Sequence, residues 1–405
     1  MRWMNKLLAV MLIALLSFPT TLLAHGTAEE HKREVLWTNI LFYGAISLFV
    51  LLILLFFILK SKVNQLGNTK SQENRIRRTR LAKAVNALKW GSMAAFTAVV
   101  VSGLVMTGNQ QDTEISGPML LDEVSIHHAH GMSYTPDGNK IFFAVHDGLR
   151  VYEDGQWILP AGEKHDYMGF SMVNDGFYSS GHPAPGSNKK NPLGIVKSTD
   201  EGESFETLAL YGEIDFHGMS VGYESHVIYV FNPSPNEKMS ETGLHYSTDE
   251  AKTWTKSEGN GLAGKPSVLA VHPTNPAVMA VGTDQGIFVT KDYGDQFETL
   301  EPSLEASAVF FNARGELYAA GLRPEPILVR MDAEMNVANE INIPVLKQDA
   351  ISFIGQSPVN PKDISIMTNN NDVYVSADEG GSWTNIMKQG KAASTNTKDR
   401  PNLPS

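Results

Sequence analysis

A turn motif, repeated at the spacing of a structural unit, constrains this 405-residue chain more than any other feature. It occurs at Ser198–Phe205 (STDEGESF), Ser247–Trp254 (STDEAKTW), Thr290–Phe297 (TKDYGDQF) and Ser376–Trp383 (SADEGGSW), sharing the pattern Ser/Thr-x-Asp-x-Gly-x-x-aromatic. Each copy follows a run of β-branched or aromatic residues, so each reads as a turn between two antiparallel strands. Asp200, Asp249, Asp292 and Asp378 can accept hydrogen bonds from turn amides, and Gly202, Gly294 and Gly380 supply positive φ. Ala251 replaces glycine in the second copy, which implies a different turn geometry there.

The motif aspartates lie 49, 43 and 86 residues apart, and the last gap is twice the second. One repeat without a readable motif therefore sits between Asp292 and Asp378. A degenerate copy, Tyr152–Trp157 (YEDGQW), stands 46 residues before Asp200 and adds another, which makes six. A period of about 40–50 residues holding four short strands is the signature of propeller blades, none of which can bury its faces alone. The expectation is an all-β six-bladed β-propeller over residues 124–390.

What precedes the propeller differs in charge. Residues 1–108 carry 13 Lys/Arg against 4 Asp/Glu, whereas the remainder carries 20 against 40. Arg2 and Lys6 open an apolar run ending at Ala24, the form of a signal peptide or signal anchor over residues 1–24. Trp37–Leu59 and Trp90–Thr107 contain no charge and read as two transmembrane helices. The loop between them, residues 60–89, holds nine Lys/Arg and the single acid Glu73, and positive loops remain cytoplasmic. The propeller is thereby expected on the extracytoplasmic side of a bacterial cell membrane. A domain with twenty excess acids excludes nucleic acid as a partner. The absence of cysteine removes thiolate catalysis and thiolate metal sites.

Within the propeller, the blades open at Ile126–Ser133, His165–Phe170, Ile214–Met219, Lys265–Ala270, Glu305–Phe310 and Asp349–Ile354. In this register His130, Met168, His217 and Val268 share one column. Residues 109–123 read as a linker, with Met119–Val124 a candidate extra strand for the last blade. The polar tail 391–405 reads as disordered.

The turn motif resembles the Asp-box, or BNR, repeat of sialidases, sortilin-type receptors and photosystem II assembly factors. Over residues 124–390 the chain is also similar to a bacterial family of membrane-anchored BNR-repeat proteins labelled glycosylhydrolase, most specifically at Ile126–Thr135, His165–Pro183 and Asp215–Ser220. The resemblance implies the propeller fold and makes the boxes structural turns. A sialidase-like site would need an arginine cluster and an Arg-Ile-Pro motif. From residue 124 through the last blade the only arginines are Arg150, Arg314, Arg323 and Arg330, and no Arg-Ile-Pro occurs.

In a propeller, the start of each innermost strand and the loop between strands two and three emerge on one face. Seven of the twelve histidines fall at such positions in the first three blades: His127, His128, His130, His146, His165, His182 and His217. Alternation along an extended strand lets His128 and His130 point together while His127 points away. The candidate metal ligands are His128, His130, His165, His182 and His217, with His127, His146 and Met168 as further ligand-binding residues. Imidazole suits Zn²⁺ and Cu²⁺, and a thioether adds affinity for Cu⁺. The reading is a propeller that binds a ligand, with a zinc or copper ion among the candidates, or docks a partner through this face. Two alternatives stand beside it. One is a glycoside hydrolase acting on a neutral glycan through Asp166 and Asp215; the other is an assembly factor for a membrane complex.

Overall fold

The structure, a computed structural model, describes residues 28–67, 71–108, 114–115, 117–302, 304–332 and 334–393. The expected signal segment, residues 1–24, and the tail from residue 394 lie outside the described residues. The chain divides into two compact units, Met1–Gln111 and Asp112–Ser405.

The first unit contains helix α1, Ala28–Gln65, and helix α2, Gln72–Gly108. They pack on one another through Phe49 and Phe96, whose ring centres are 5.7 Å apart. Among the described residues one stretch, Phe42–Gln65, is long and apolar enough to cross a membrane, with a mean hydropathy of 2.8. The expected second span at residues 90–107 is not among them. Its helix is apolar only in its second half, after a start carrying Arg75, Arg77, Arg78, Arg80 and Lys83. From residue 101 its side chains lie outside the described residues.

The second unit is a six-bladed β-propeller. Its innermost strands are Ala129–Tyr134, Asp166–Val173, Met219–Val221, Pro266–Val271, Glu305–Phe311 and Ile351–Gln356. Each begins an antiparallel sheet whose strands run outward in chain order, and the sixth inner strand neighbours the first. Second strands such as Met279–Thr283 and Ile364–Thr368 are buried along their whole length. They are covered on both faces by adjacent blades, which is why they read as unbroken apolar runs rather than alternating ones. Outermost strands face water and carry their polar residues there, as in Glu206–Ala209 and Thr255–Lys256. Inner strands crowd toward the axis. A Cβ on Gly131 would lie 2.8 Å from Phe170 Cβ of the next blade, so only glycine fits beside His130.

All four turn motifs join the third and fourth strands of a blade, in one geometry. Ser198 Oγ donates to Asp200 Oδ1 (2.8 Å) and accepts from Gly202 N (2.9 Å), while Ser204 N donates back to Asp200 Oδ1 (2.9 Å). The same bonds recur at Ser247/Asp249/Thr253, Thr290/Asp292/Gln296 and Ser376/Asp378/Ser382. The expected deviation at Ala251 does not occur. Ala251 takes φ 67° and its amide donates to Ser247 Oγ at 2.9 Å, as the glycines do. In blade five, Asp332 accepts from Asn336 N at 2.8 Å, the same carboxylate-to-amide bond without the preceding hydroxyl.

Three other expectations change. The degenerate copy at Tyr152–Trp157 is a two-residue hairpin: Glu153 pairs with Gln156, and Asp154 and Gly155 both have positive φ (49° and 77°). Two positive φ values match the twist of the flanking strands, which is why Asp-Gly serves there. Met119–Leu121 adds a fifth, outermost strand to the first blade rather than the last. Glu123–Ser125, at the boundary of the expected linker and propeller, instead pairs with Lys391–Ala393 of the expected tail, so these two segments join the ends of the ring. Both are short segments whose polar composition hid pairing that exists only once the ring is closed.

Candidate metal centre

The site arises from a defect in strand pairing. In blade one Ala129 pairs with Val145 and Gly131 with Ala144, leaving His130 as the extra residue of a β-bulge. A bulge bends its strand and re-aims the unpaired side chain. The same bulge falls at Ser267, Ser307 and Ser352 in blades four to six. The column shared with His130 is therefore Ser267, not Val268 as the sequence register suggested. Ser267 Oγ and Ser352 Oγ donate to carbonyls of their second strands, Gly282 (3.3 Å) and Met367 (3.0 Å). His130, too long for that bond, reaches the turn after its second strand and meets His146.

His130 Nε2 lies 3.2 Å from His146 Nδ1. His128 packs against both, its ring 4.8 Å from that of His130 and stacked 5.4 Å from that of His146. One ring nitrogen from each of the three lies within 4.8 Å of the others. Asp166, at the start of the second blade, faces the pair: Oδ2 is 3.1 Å from His146 Nδ1 and Oδ1 is 3.3 Å from His130 Nε2. That Oδ1 is buried and makes no well-aligned hydrogen bond.

Electrostatics follow from this crowding. Burial, then the neighbouring His130 and His146, depresses the pKa of His128 and keeps its imidazole neutral. The hydrogen bond to Asp166 raises that of His146 against the effect of burial. Burial alone would raise the Asp166 carboxyl, but bonding to His130 and His146 outweighs it and holds the group at about 2.

A second cluster belongs to blades two and three. His217 Nε2 is 2.8 Å from Asp215 Oδ2, and His182 Nε2 is 3.5 Å from the same oxygen. His182 Nδ1 faces Asn191 Oδ1 at 2.7 Å, a partner that sequence reasoning missed. The Asp215 bond raises the pKa of His217, while bonding to His217 lowers that of Asp215. His217 also acts electrostatically on His128 and His146, so the two clusters adjoin.

The remaining candidates stand apart. His165 is 1% exposed, accepts from Ala184 N at 2.9 Å, lies 3.3 Å from Glu163 and packs edge-on to Phe205. It is a packing residue of blade two, and burial pushes its pKa down to about 4. Met168 is buried and does not line the channel. His127 Nε2 turns to Ser125 Oγ (3.4 Å), away from the triad.

His128, His130 and His217 line a central channel of about 460 Å³. Phe170, Val268, Val309, Phe353 and Met219 line the same channel, as do Ser133, Ser171, Ser220, Tyr223, Gln356 and Asn371. The serines of blades four to six line the same channel opposite the imidazoles.

No protein-family profile matches the chain, and no curated protein sequence matches it. Among solved structures, a GH74 enzyme of Niastella koreensis aligns with 14% identity over 68% of this chain and 47% of its own, at a TM-score of 0.45. An ancestral GH74 enzyme aligns with 10% identity over 65% and 39%, at 0.40. A β-propeller domain of Myceliophteria thermophila aligns with 10% identity over 66% and 88%, at 0.41. The chain thus spans less than half of either GH74 enzyme.

Proposed function

We propose that this protein is a membrane-anchored β-propeller that holds a transition-metal ion, zinc or copper, at the mouth of its channel. His128, His130 and His146 supply imidazoles and Asp166 the anionic donor. The observation that carries this reading is the convergence of three ring nitrogens within 4.8 Å of one another. A tetrahedral ion with bonds of about 2.0–2.1 Å holds its donors about 3.3 Å apart. The His130–His146 separation of 3.2 Å and the His146–Asp166 Oδ2 separation of 3.1 Å are close to that edge, while His130 meets the other carboxylate oxygen, Oδ1, at 3.3 Å. A buried carboxylate oxygen without a well-aligned hydrogen bond, and a neutral His128, suit the same occupant. Imidazole-rich sites favour zinc, copper and nickel over the oxygen-seeking ions.

Phe42–Gln65 would cross the membrane, residues 90–107 would return, and the basic segment between them would stay in the cytoplasm, leaving the propeller outside. A glycoside hydrolase needs one carboxyl held protonated as its acid. Asp166 and Asp215 both have depressed pKa values, so neither is suited to that role. The assembly-factor reading draws on the anchor alone.

The test is metal analysis of the full-length protein after loading with Zn²⁺ or Cu²⁺ and removal of free ion. One equivalent is expected in the parent and none in His130→Ala/His146→Ala. A parent that retains no metal, or a double variant that retains it fully, would refute the assignment.

A further inference from the structure

In the helical unit, two lysines stand where the apolar stretches end. Lys60 directly follows the uncharged run Trp37–Leu59, and Lys89 directly precedes Trp90–Thr107. The hairpin of α1 and α2 brings both to the ring of Phe56. Lys60 Nζ lies 5.5 Å from the centre of that ring, and Phe56 and Lys89 line one groove between the helices.

The groove has a volume of about 320 Å³, and its apolar lining is Phe49, Ile53, Phe56, Met93 and Phe96. From Phe56 to Phe49 it follows two turns of α1, about 10 Å. There Phe49 meets Phe96, with ring centres 5.7 Å apart. Besides Lys89, the polar side chains along it are Ser92 and Thr97, and their hydroxyls donate to Leu88 O (2.8 Å) and Met93 O (3.0 Å) of their own helix. The result is an apolar trough with ammonium groups at one end. The only acid between residues 35 and 108 is Glu73, in the first turn of α2 and about 24 Å along that helix from Lys89. No carboxylate of its own helix therefore neutralises Lys89.

In the anchor reading, the lysine end sits at the level of the headgroups. A lysine at such a boundary lays its methylenes along apolar surface and sends its ammonium to the polar layer. A phospholipid matches both halves of the groove, because it joins an acyl chain to a phosphodiester. A zwitterionic lipid already carries an ammonium beside its phosphate, whereas an anionic one leaves the phosphate to the lysines.

We infer that the groove between α1 and α2 holds one anionic phospholipid of the cytoplasmic leaflet, its phosphodiester between Lys60 and Lys89 and an acyl chain along Ile53, Met93 and Phe96. This rests on the anchor reading and is independent of the metal. Arg75, Arg77 and Arg80, exposed nearer the start of α2, lie outside the groove and add only diffuse attraction to the same leaflet.

The experiment uses the full-length chain in detergent and counts bound lipid by native mass spectrometry. Its probes are phosphatidylglycerol, phosphatidylcholine with the same acyl chains, and glycerol 3-phosphate, which has the head without the chains. One phosphatidylglycerol per chain is expected, favoured at least about tenfold over phosphatidylcholine by the two lysines. Lys60→Gln/Lys89→Gln should remove that preference, and Ile53→Trp, which fills the groove, should weaken phosphatidylglycerol about tenfold with both lysines intact. Arg75→Gln/Arg77→Gln/Arg80→Gln should leave the preference within about twofold of the parent. Equal retention of the two lipids by the parent, or an undiminished preference in the lysine variant, would overturn the site. So would an equal loss in the arginine variant, which would reduce it to diffuse charge, or glycerol 3-phosphate binding as tightly as the lipid, which would leave the groove no part. Alkaline washing of membranes reads the anchor separately. A chain that stays in the membrane but shows no preference keeps the anchor and loses the site; a chain released into the wash loses both.

Discussion

Blades one and four share a backbone and differ in chemistry. In both, the inner strand bulges at the same point, leaving His130 in one and Ser267 in the other as the unpaired residue. The serine folds back onto the carbonyl of Gly282, 3.3 Å away, and closes the local hydrogen-bond account. The histidine reaches across to His146 and Asp166 and opens a site. The bulge thus supplies direction and the side chain decides use. A repeated fold can confine its chemistry to one sector of the rim without altering the frame that holds it.

The sharpest way to break this comparison is to make the two blades alike. His130→Ser should lower zinc affinity at least about 100-fold, because it removes one imidazole and also the contacts by which His130 holds His146 and Asp166 in place. Its melting temperature without metal should stay within a few degrees of the parent, since blades four to six already carry serine there. Equilibrium dialysis and thermal melts would read the two effects separately. A large loss of fold would show that His130 is a packing residue, and the contrast between blades would collapse.

The turn motifs offer a second contrast, smaller in energy. Gly380 has φ 89°, and a Cβ there would lie 2.4 Å from Ile341 Cγ2, whereas Ala251 already sits in the equivalent position at φ 67° with its methyl buried. Gly380→Ala should destabilise the propeller by about 2 kcal/mol, combining left-handed strain with overpacking. Ala251→Gly should change stability by less than about 1 kcal/mol, since relief of strain offsets the loss of a buried methyl. Denaturant midpoints of the two variants would test the pair. Equal effects would mean that the two turns are equivalent in their surroundings and that Gly380 is not the more crowded site.

A pH-dependent effect, seen only below neutrality, separates His165 from the exposed imidazoles. Its folded pKa, about 4, lies below the ordinary 6.5 because the ring is buried. Between those values the unfolded chain takes up a proton that the folded chain refuses, so stability falls as pH drops, by at most about 1.4 kcal/mol per pH unit. His217 has the opposite sign. Its raised pKa contributes stability below pH 6.5 that is lost as pH rises through its folded value. His165→Gln should flatten the decline in melting temperature between pH 6.5 and 4.5, with little change above pH 7. An unaltered decline would assign the acid sensitivity to other groups.

The number of blades, the turn motifs and the clustering of histidines on one face were legible in the linear order of residues. Each depends on local chemistry or on a period: Asp-x-Gly turns, apolar second strands, and a repeat of four strands. His128 and His130 do meet while His127 turns away, but strand alternation is not the cause: His128 precedes the strand and His130 is its bulge residue. The placing of Ala251 was misread because the penalty for a left-handed alanine can be borne where its methyl has space, and only packing reveals that space.

Sequence by itself determined a six-bladed ring whose histidines gather in its first half, since repeats and residue types are properties of the chain. Tertiary structure alone decided which imidazoles meet. A single extra residue in the first inner strand re-aimed His130, and closure of the ring brought Asp166 and His217 to the same opening. His165, the residue just before Asp166, was turned into the body of its blade. Register shifts and ring closure join residues far apart along the polypeptide, and no local pattern encodes the direction in which an unpaired side chain leaves its strand.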